Sequence, residues 1–265
     1  MSGERQTWHY GLMAEWWAHF NTDGGEELAY FQPYVEAGQP ALDAGCGSGR
    51  LLLPWLRAGF DVDGCDVSAD MVAECREHAA AEGLAPTLWV QPLHELEPPR
   101  LYRTVVVCGT FGLGTTRAQD EDAIRRLYAA LEPGGTLLLD NEVPYSSARR
   151  WMRWTADGRA DLPGPWSAEP DRRVAPDGFE YSLWSRMLEV DPLDQSVRVE
   201  MRIEKRRAEA LVGEDQHPLS MRMWFKDELV LMLRTAGFSW VTVRGGYHDE
   251  DPRPDHDFLV FVARK

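Results

Sequence analysis

Apolar and polar positions change rhythm twice along the chain. From residue 41 to residue 141, short apolar runs alternate with amphipathic stretches. "ALDAG", "DVDGCDV", "TLWVQ", "TVVVCG" and "TLLLDN" predict strands, while "RLLLPWLRAGF", "SADMVAECREHAAAEGL" and "DEDAIRRLYAALEPGG" predict helices. Ser68 is placed to cap the second of these helices, and Gly59 and Gly83 stand where the first two end. Strands this apolar, separated by helices, imply a parallel sheet covered on both faces, an open and doubly wound α/β fold.

Two helices precede this region, over residues 10–20 with a dense aromatic face and over residues 25–36, so residues 1–38 read as a helical cap. Over residues 142–224 the alternation stops and Trp, Pro and charge become frequent. "FEYSLWSRMLEV", "QSVRVEMRIEKRRAEA" and "HPLSMRMWF" look strand-like there, the first two parted by the turn signal "DPLDQ", which predicts a small antiparallel β insertion. The α/β pattern then resumes with a helix over residues 226–236 ended by Gly237, a strand "SWVTVR", a long acidic loop and a last strand "FLVFVAR". No helix separates these last two strands, so the final one must run antiparallel to its predecessor. The expectation is one domain over residues 1–265 with a cap and an insertion.

Composition narrows the function. The chain of 265 residues is 44% hydrophobic and 27% charged, and no apolar run approaches the ~18 residues of a membrane span. It opens on no basic-then-apolar leader, so a cytoplasmic protein is expected. A formal charge of −15 disfavours phosphate backbones and argues against nucleic-acid partners. Cys46, Cys65, Cys75 and Cys108 form no CxxC pair and read as buried free thiols, with no metal site expected.

The chemistry centres on "ALDAGCGSGRLL", where an apolar strand runs into Gly45, Gly47 and Gly49 and then a helix. Glycines at such a turn let a ligand reach backbone N–H groups, a device common to several nucleotide-like cofactors. The spacing here is Gly-x-Gly-x-Gly, not the dinucleotide G-x-G-x-x-G, since position 50 is Arg. Asp43, two residues before the first glycine, would repel a pyrophosphate but could accept from an ammonium. Asp66, ending the second strand, is placed to accept from ribose hydroxyls, which suits either cofactor class.

Taken in order, "LDAGCGSG", "DVDGCDVSADMV", "VVVCGTFGLG" and "LEPGGTLLLDN" resemble the class I S-adenosylmethionine-dependent methyltransferases, in particular the small-molecule group with a β insertion after the fifth strand. The resemblance covers roughly residues 41–141, and the tail is consistent with it. It implies a Rossmann-like, seven-stranded sheet with one antiparallel strand and S-adenosylmethionine as methyl donor to an O, N or C atom of a small molecule. The alternative is an NAD-dependent oxidoreductase on a related fold.

By the same resemblance, Asp43, Gly45, Cys46, Gly47 and Gly49 wrap the methionine part and Asp66 holds the ribose. Val67 and Met71 flank the adenine, Leu93 packs on it, and the backbone at Cys108 reaches the amino group. Pro92 stands where the family often has an acid for the adenine amine, leaving Gln91 as a substitute. Methyl transfer needs a base only if the acceptor must lose a proton; Glu142, His217 and His248, with Asp249, are candidates by position. Tyr10, Trp16 and Tyr145 are candidates for the acceptor pocket, which the insertion and the first helix would cover as a lid. A monomer, or a homodimer paired through the insertion, is expected.

Overall fold

A computed structural model describes Thr7 and residues 9–265; residues 1–6 and Trp8 of the expected cap lie outside the described residues. Helices α1 (Leu12–Phe20) and α2 (Gly25–Ala37) lead into β1 (Ala41–Ala44), α3 (Leu52–Arg57), β2 (Val62–Asp66), α4 (Ala69–Ala81), β3 (Leu88–Val90) and β4 (Tyr102–Val107). There follow α5 (Arg117–Ala130), β5 (Leu131–Glu142), the short helices α6 (Ala148–Met152) and α7 (Ala156–Arg159), and strands β6 (Asp171–Val174), β7 (Glu180–Asp191), β8 (Ser196–Arg207) and β9 (Ala210–Arg222). Helix α8 (Lys226–Ala236) and strands β10 (Trp240–Gly245) and β11 (Phe258–Arg264) complete the chain.

The seven-stranded sheet has the order β10-β11-β5-β4-β1-β2-β3. Strand β11 runs antiparallel to both β5 and β10, and the remaining pairs are parallel, as the loop-only connection before the last strand requires. The apolar runs are continuous because both faces are covered. Val105, Val107, Leu137, Leu139 and Phe261 pack with α5 and α8 on one side, while Val106, Leu138, Val260 and Val262 pack with α2 and α3 on the other. Each such buried side chain stabilises the fold by roughly 1.5–3 kcal/mol.

The insertion is a four-stranded antiparallel sheet in the order β6-β7-β8-β9. It is larger than its sequence suggests: β6 and the two short helices carry no strong pattern, and β9 starts at Ala210, well before "HPLSMRMWF". Its strands alternate. Val199, Met201 and Ile203 of β8 face Met13 and Trp16 of α1, with Tyr181 and Leu219 in the same cluster. Glu200, Arg202 and Glu204, between them, bond instead to Arg186, Glu214 and Arg206.

Helix α1 begins at Leu12, two residues later than expected. Gly11 takes a φ of 56°, and the Gly11 and Leu12 N–H groups donate to Asp70 Oδ2 and Asp215 Oδ2, each at 2.8 Å, so acids of α4 and β9 seat the helix start. A second join is buried. The Gly114 N–H donates to the Ser220 carbonyl at 2.7 Å and the Arg222 N–H to that of Gly112 at 2.8 Å, pairing the end of β9 with the loop after β4. Beneath it Asp120 accepts from Trp224 Nε1 at 2.9 Å and from Thr115 Oγ1 at 2.5 Å, and Arg222 Nε lies 3.6 Å away.

Candidate active site

The ends of β1, β2 and β4 open on a cavity of about 490 Å³. Its floor is the glycine loop, and two of its glycines serve visibly different ends. Gly45, at φ 96°, would bring a Cβ within 2.6 Å of Thr110 across the cavity mouth. Gly49, at φ 97°, instead makes room for Leu53 and Cys75 and does not line the cavity among the described residues. Asp43, Gly45, Cys46, Gly47, Asp66, Val67, Met71, Leu93 and Cys108 all do.

Asp66 holds the loop together. Its Oδ2 accepts from the Gly47 N–H at 2.9 Å and its Oδ1 from the Ser68 N–H at 2.8 Å, tying the turn after β1 to the start of α4. Burial raises its pKa, against the lowering effect of those backbone bonds. Ser68 caps α4 by accepting from the Met71 N–H at 3.2 Å, and its hydroxyl donates to the His9 carbonyl. Asp43 is 2% exposed, and its Oδ2 has no hydrogen-bond partner; burial pushes its pKa up to about 7, opposed by Arg50.

A third acid, not singled out in the sequence, completes the set. Asp140, near the end of β5, accepts from Tyr247 Oη at 2.6 Å, from the Gly109 N–H at 2.7 Å and from Cys108 Sγ at 3.3 Å. Burial raises its pKa. It fixes the loop after β4, where Gly109 at φ 65° has open space where a Cβ would stand. An acid closing the apolar run "TLLLDN", as Asp43 and Asp66 close theirs, was the available signal. Arg50 was also missed: it reaches Glu27 of α2 at 2.9 Å and Cys108 Sγ at 3.6 Å, pinning the cap to the loop.

The walls suit a nucleoside. Val67, 46% exposed, lines the cavity with the half-buried Leu93 and the buried Met71, an apolar ledge with Val67 open to a ligand. Gln91 lines the same end, but its Oε1 already accepts from Trp89 Nε1 at 3.1 Å and the Glu97 N–H at 2.9 Å. Two donors on one atom identify it as the oxygen, so what Gln91 has left for a ligand is its NH₂, a donor and not the acceptor expected for an adenine amine. An open ledge, a carboxylate at its edge and a glycine-lined cradle together fit a nucleoside carrying an amino-acid arm.

The residues expected to touch the acceptor lie elsewhere. Trp16 is 7% exposed and belongs to the core between α1 and the insertion; its neighbour Trp17, about 100° further round the helix, lines the cavity with His9. Tyr10 is half-buried just before α1 and outside the lining, and Tyr145 packs on Phe225 with ring centroids 5.6 Å apart. His217 sits on β9 opposite Met201, and His248 and Asp249 lie in the loop before β11, where Asp249 pairs with Arg244 at 2.7 Å. Glu142 is ion-paired with Arg150 and lines two smaller cavities beside the main one. His9 has its pKa lowered to about 4 by burial, so it is neutral at pH 7.

A family model described as a methyltransferase domain matches residues 41–135. A protein of Geobacillus sp. (strain WCH70) named for methyltransferase activity is 30% identical over 227 residues, 84% of this chain and 83% of that one. Among solved structures, an S-adenosylmethionine-dependent methyltransferase from Clostridium acetobutylicum superposes with a TM-score of 0.73 at 13% identity, over 96% of this chain and 97% of the other. An amino pentose methyltransferase from Micromonospora echinaspora, with S-adenosylmethionine bound, gives 0.64 at 20% identity over 97% and 98%. At these identities the structural likeness is one of fold. The family model and the Geobacillus relative agree, and the chain belongs to the class I S-adenosylmethionine-dependent methyltransferases and uses S-adenosylmethionine as its methyl donor.

Proposed function

We propose that the enzyme methylates a small molecule that reaches the donor from beneath the insertion, which acts with α1 as the lid of the site. The observation that carries this reading is the seam between β9 and residues 112–114, because it hangs the insertion over the cavity wall formed by the loop after β4. A cavity of about 490 Å³ is in the range of small-molecule sites, roughly 300–1,000 Å³. When bound, S-adenosylmethionine supplies a methyl group already activated on a sulfonium. Asp43, Gly45, Cys46 and Gly47 would take its amino-acid arm, Asp66 its ribose diol, and Val67, Met71 and Leu93 its adenine, with Gln91 donating to a ring nitrogen.

The protein's own task is then to orient the acceptor and exclude water. Of the titratable groups on the lining, His9 is held neutral with a pKa of about 4, Glu27 is paired with Arg50 and Asp66 accepts two backbone N–H groups, while Asp43, with an unpartnered Oδ2 and a pKa raised to about 7, can take a proton near neutral pH. Four buried free thiols suit a cytoplasmic setting. The outer strand β6 is only four residues long and carries Asp171, Arg172 and Arg173, an edge ill-suited to pairing, so a homodimer through the insertion would use the opposite edge, the exposed start of β9.

Calorimetry with S-adenosylhomocysteine tests the site assignment. One-to-one binding is expected, with no heat from NADH, and it should weaken in Val67→Asp, which puts a charge on the adenine ledge. Tight NADH binding, or unchanged affinity in that variant, overturns it.

A further inference from the structure

The main cavity is continued by two smaller ones, each of about 80 Å³. Gly109, Thr110, Phe111 and Leu113 border both the main cavity and the first of these; Glu142, Met221 and Met223 border both the first and the second. The second thus lies beneath the insertion, adjoining the donor cavity in series through the walls that the first shares with each. Its lining joins apolar side chains, among them Val197, Val199, Met187, Met221 and Met223, with the ion pair of Glu142 and Arg150. Set into it is a second guanidinium, that of Arg153.

Arg153 is half-buried, and no hydrogen bond or ion pair joins its guanidinium to another described side chain. Burial lowers its pKa, and Arg149 and Arg150 lower it further, with Glu142 alone acting the other way. Yet Glu142 is already taken by Arg150, which also lies 3.6 Å from Asp257. Elsewhere acids are plentiful and placed with care: Arg186, Arg202, Arg206, Arg222, Arg244 and Arg253 each meet a carboxylate. In a chain of net charge −15, a half-buried guanidinium with no acid of its own, in a cavity that adjoins the donor site in series, is an opening for an anion.

We infer that Arg153 binds a carboxylate of the methyl acceptor, so that the acceptor is a small monoanion with an apolar body. This rests on the methyl-transfer reading of the adjoining cavity. The anion is a carboxylate because a guanidinium offers a planar fork that matches its two oxygens. A phosphate dianion would leave a net negative charge among methionines and valines, with no second cation facing it from the lining except the committed Arg150. The assignment concerns the group that anchors the acceptor and holds whichever atom receives the methyl.

The test uses the whole protein saturated with S-adenosylhomocysteine, titrated with hexanoate, phenylacetate, phenylacetamide and phenyl phosphate. At least one of the two carboxylates should bind, phenylacetamide should not, and Arg153→Gln should weaken the carboxylate at least about tenfold, the loss of one charged hydrogen-bonded contact. Arg153→Lys should fall between. S-adenosylhomocysteine affinity in Arg153→Gln should match the wild type, which shows the fold intact. If neither carboxylate binds, if phenylacetamide binds as well, if phenyl phosphate binds more tightly, or if Arg153→Gln changes nothing, the inference fails. Failure of S-adenosylhomocysteine to bind the wild type would instead sink the reading beneath it.

Discussion

Between residues 41 and 142 the main sheet buries β1, β2, β4 and the second half of β5 on both faces, whereas between residues 171 and 222 the second sheet buries one face and leaves the other to water. The same residue type means different things in the two. Asp43, Asp66 and Asp140 sit where burial raises their pKa values; both oxygens of Asp66 and one of Asp140 accept from backbone N–H groups that shape the cavity, and the other oxygen of Asp140 accepts from Tyr247 and Cys108. Burial also pushes Glu200 upward, but Gln216 and Arg186 outweigh it and bring its pKa down. Acids of the main sheet hold loops open for a ligand; acids of the insertion neutralise arginines. The comparison can be broken at the seam, in the cradle or on the wet face.

The largest effect belongs to the seam. Arg222→Met removes the cation nearest the buried Asp120 and should lower unfolding stability by about 3 kcal/mol, read in a denaturant melt. A change below about 1 kcal/mol would mean that the two sheets hold together without it. Next comes the cradle: Asp66→Ala frees the Gly47 and Ser68 N–H groups and removes the acceptor for a ribose diol. S-adenosylhomocysteine affinity should fall by roughly 30- to 150-fold, about 2–3 kcal/mol, by calorimetry. Retained affinity would show that the carboxylate holds the loop but not the ligand.

Legibility follows the same divide. Runs such as "TVVVC" and "TLLLD" announce strands because sheet burial on two faces leaves no polar alternation to confuse with a helix. The strand β6, "DRRV", and the start of β9, "ALVGEDQ", are exposed, and nothing in their pattern separates them from a loop. Helix ends were blurred for a related reason: α1 is started by acids 59 and 203 residues away in sequence, which no local window contains. In the site, backbone-led features such as the glycine loop were legible. Trp17 was not distinguishable from Trp16, since which of two adjacent aromatics faces the cavity depends on helix rotation set by the insertion.

A smaller effect tests the buried acids through pH. Asp43 binds its proton up to about pH 7 in the folded chain but only to its ordinary 3.8 when unfolded, so its contribution to stability is lost as pH rises from about 4 through 7. His9 acts with the opposite sign: its folded pKa of about 4 lies below the usual 6.5, so its contribution grows with pH across that interval. The wild-type profile mixes the two. Asp43→Asn copies the protonated acid and isolates one of them: it should match the wild type near pH 3.5 and already be about 1–2 kcal/mol more stable at pH 5. Equal stabilities at both values would mean that Asp43 is not desolvated.

The smallest effect is expected on the wet face of the insertion. Arg202 reaches Glu214 at 2.6 Å and Glu204 at 2.7 Å and lies 5.4 Å over the Trp184 ring, a dense set of contacts for one side chain. It is nevertheless 36% exposed, so water and salt screen each pair, and ordering a long side chain opposes the gain. Arg202→Gln should therefore change stability by less than about 0.5 kcal/mol in 0.15 M salt, with S-adenosylhomocysteine affinity unaltered. A loss above about 1 kcal/mol, fading as salt is raised, would show that the charge network stiffens the sheet enough to rank with the buried seam. The insertion would then owe its rigidity to its outer face as much as to the apolar contact with α1.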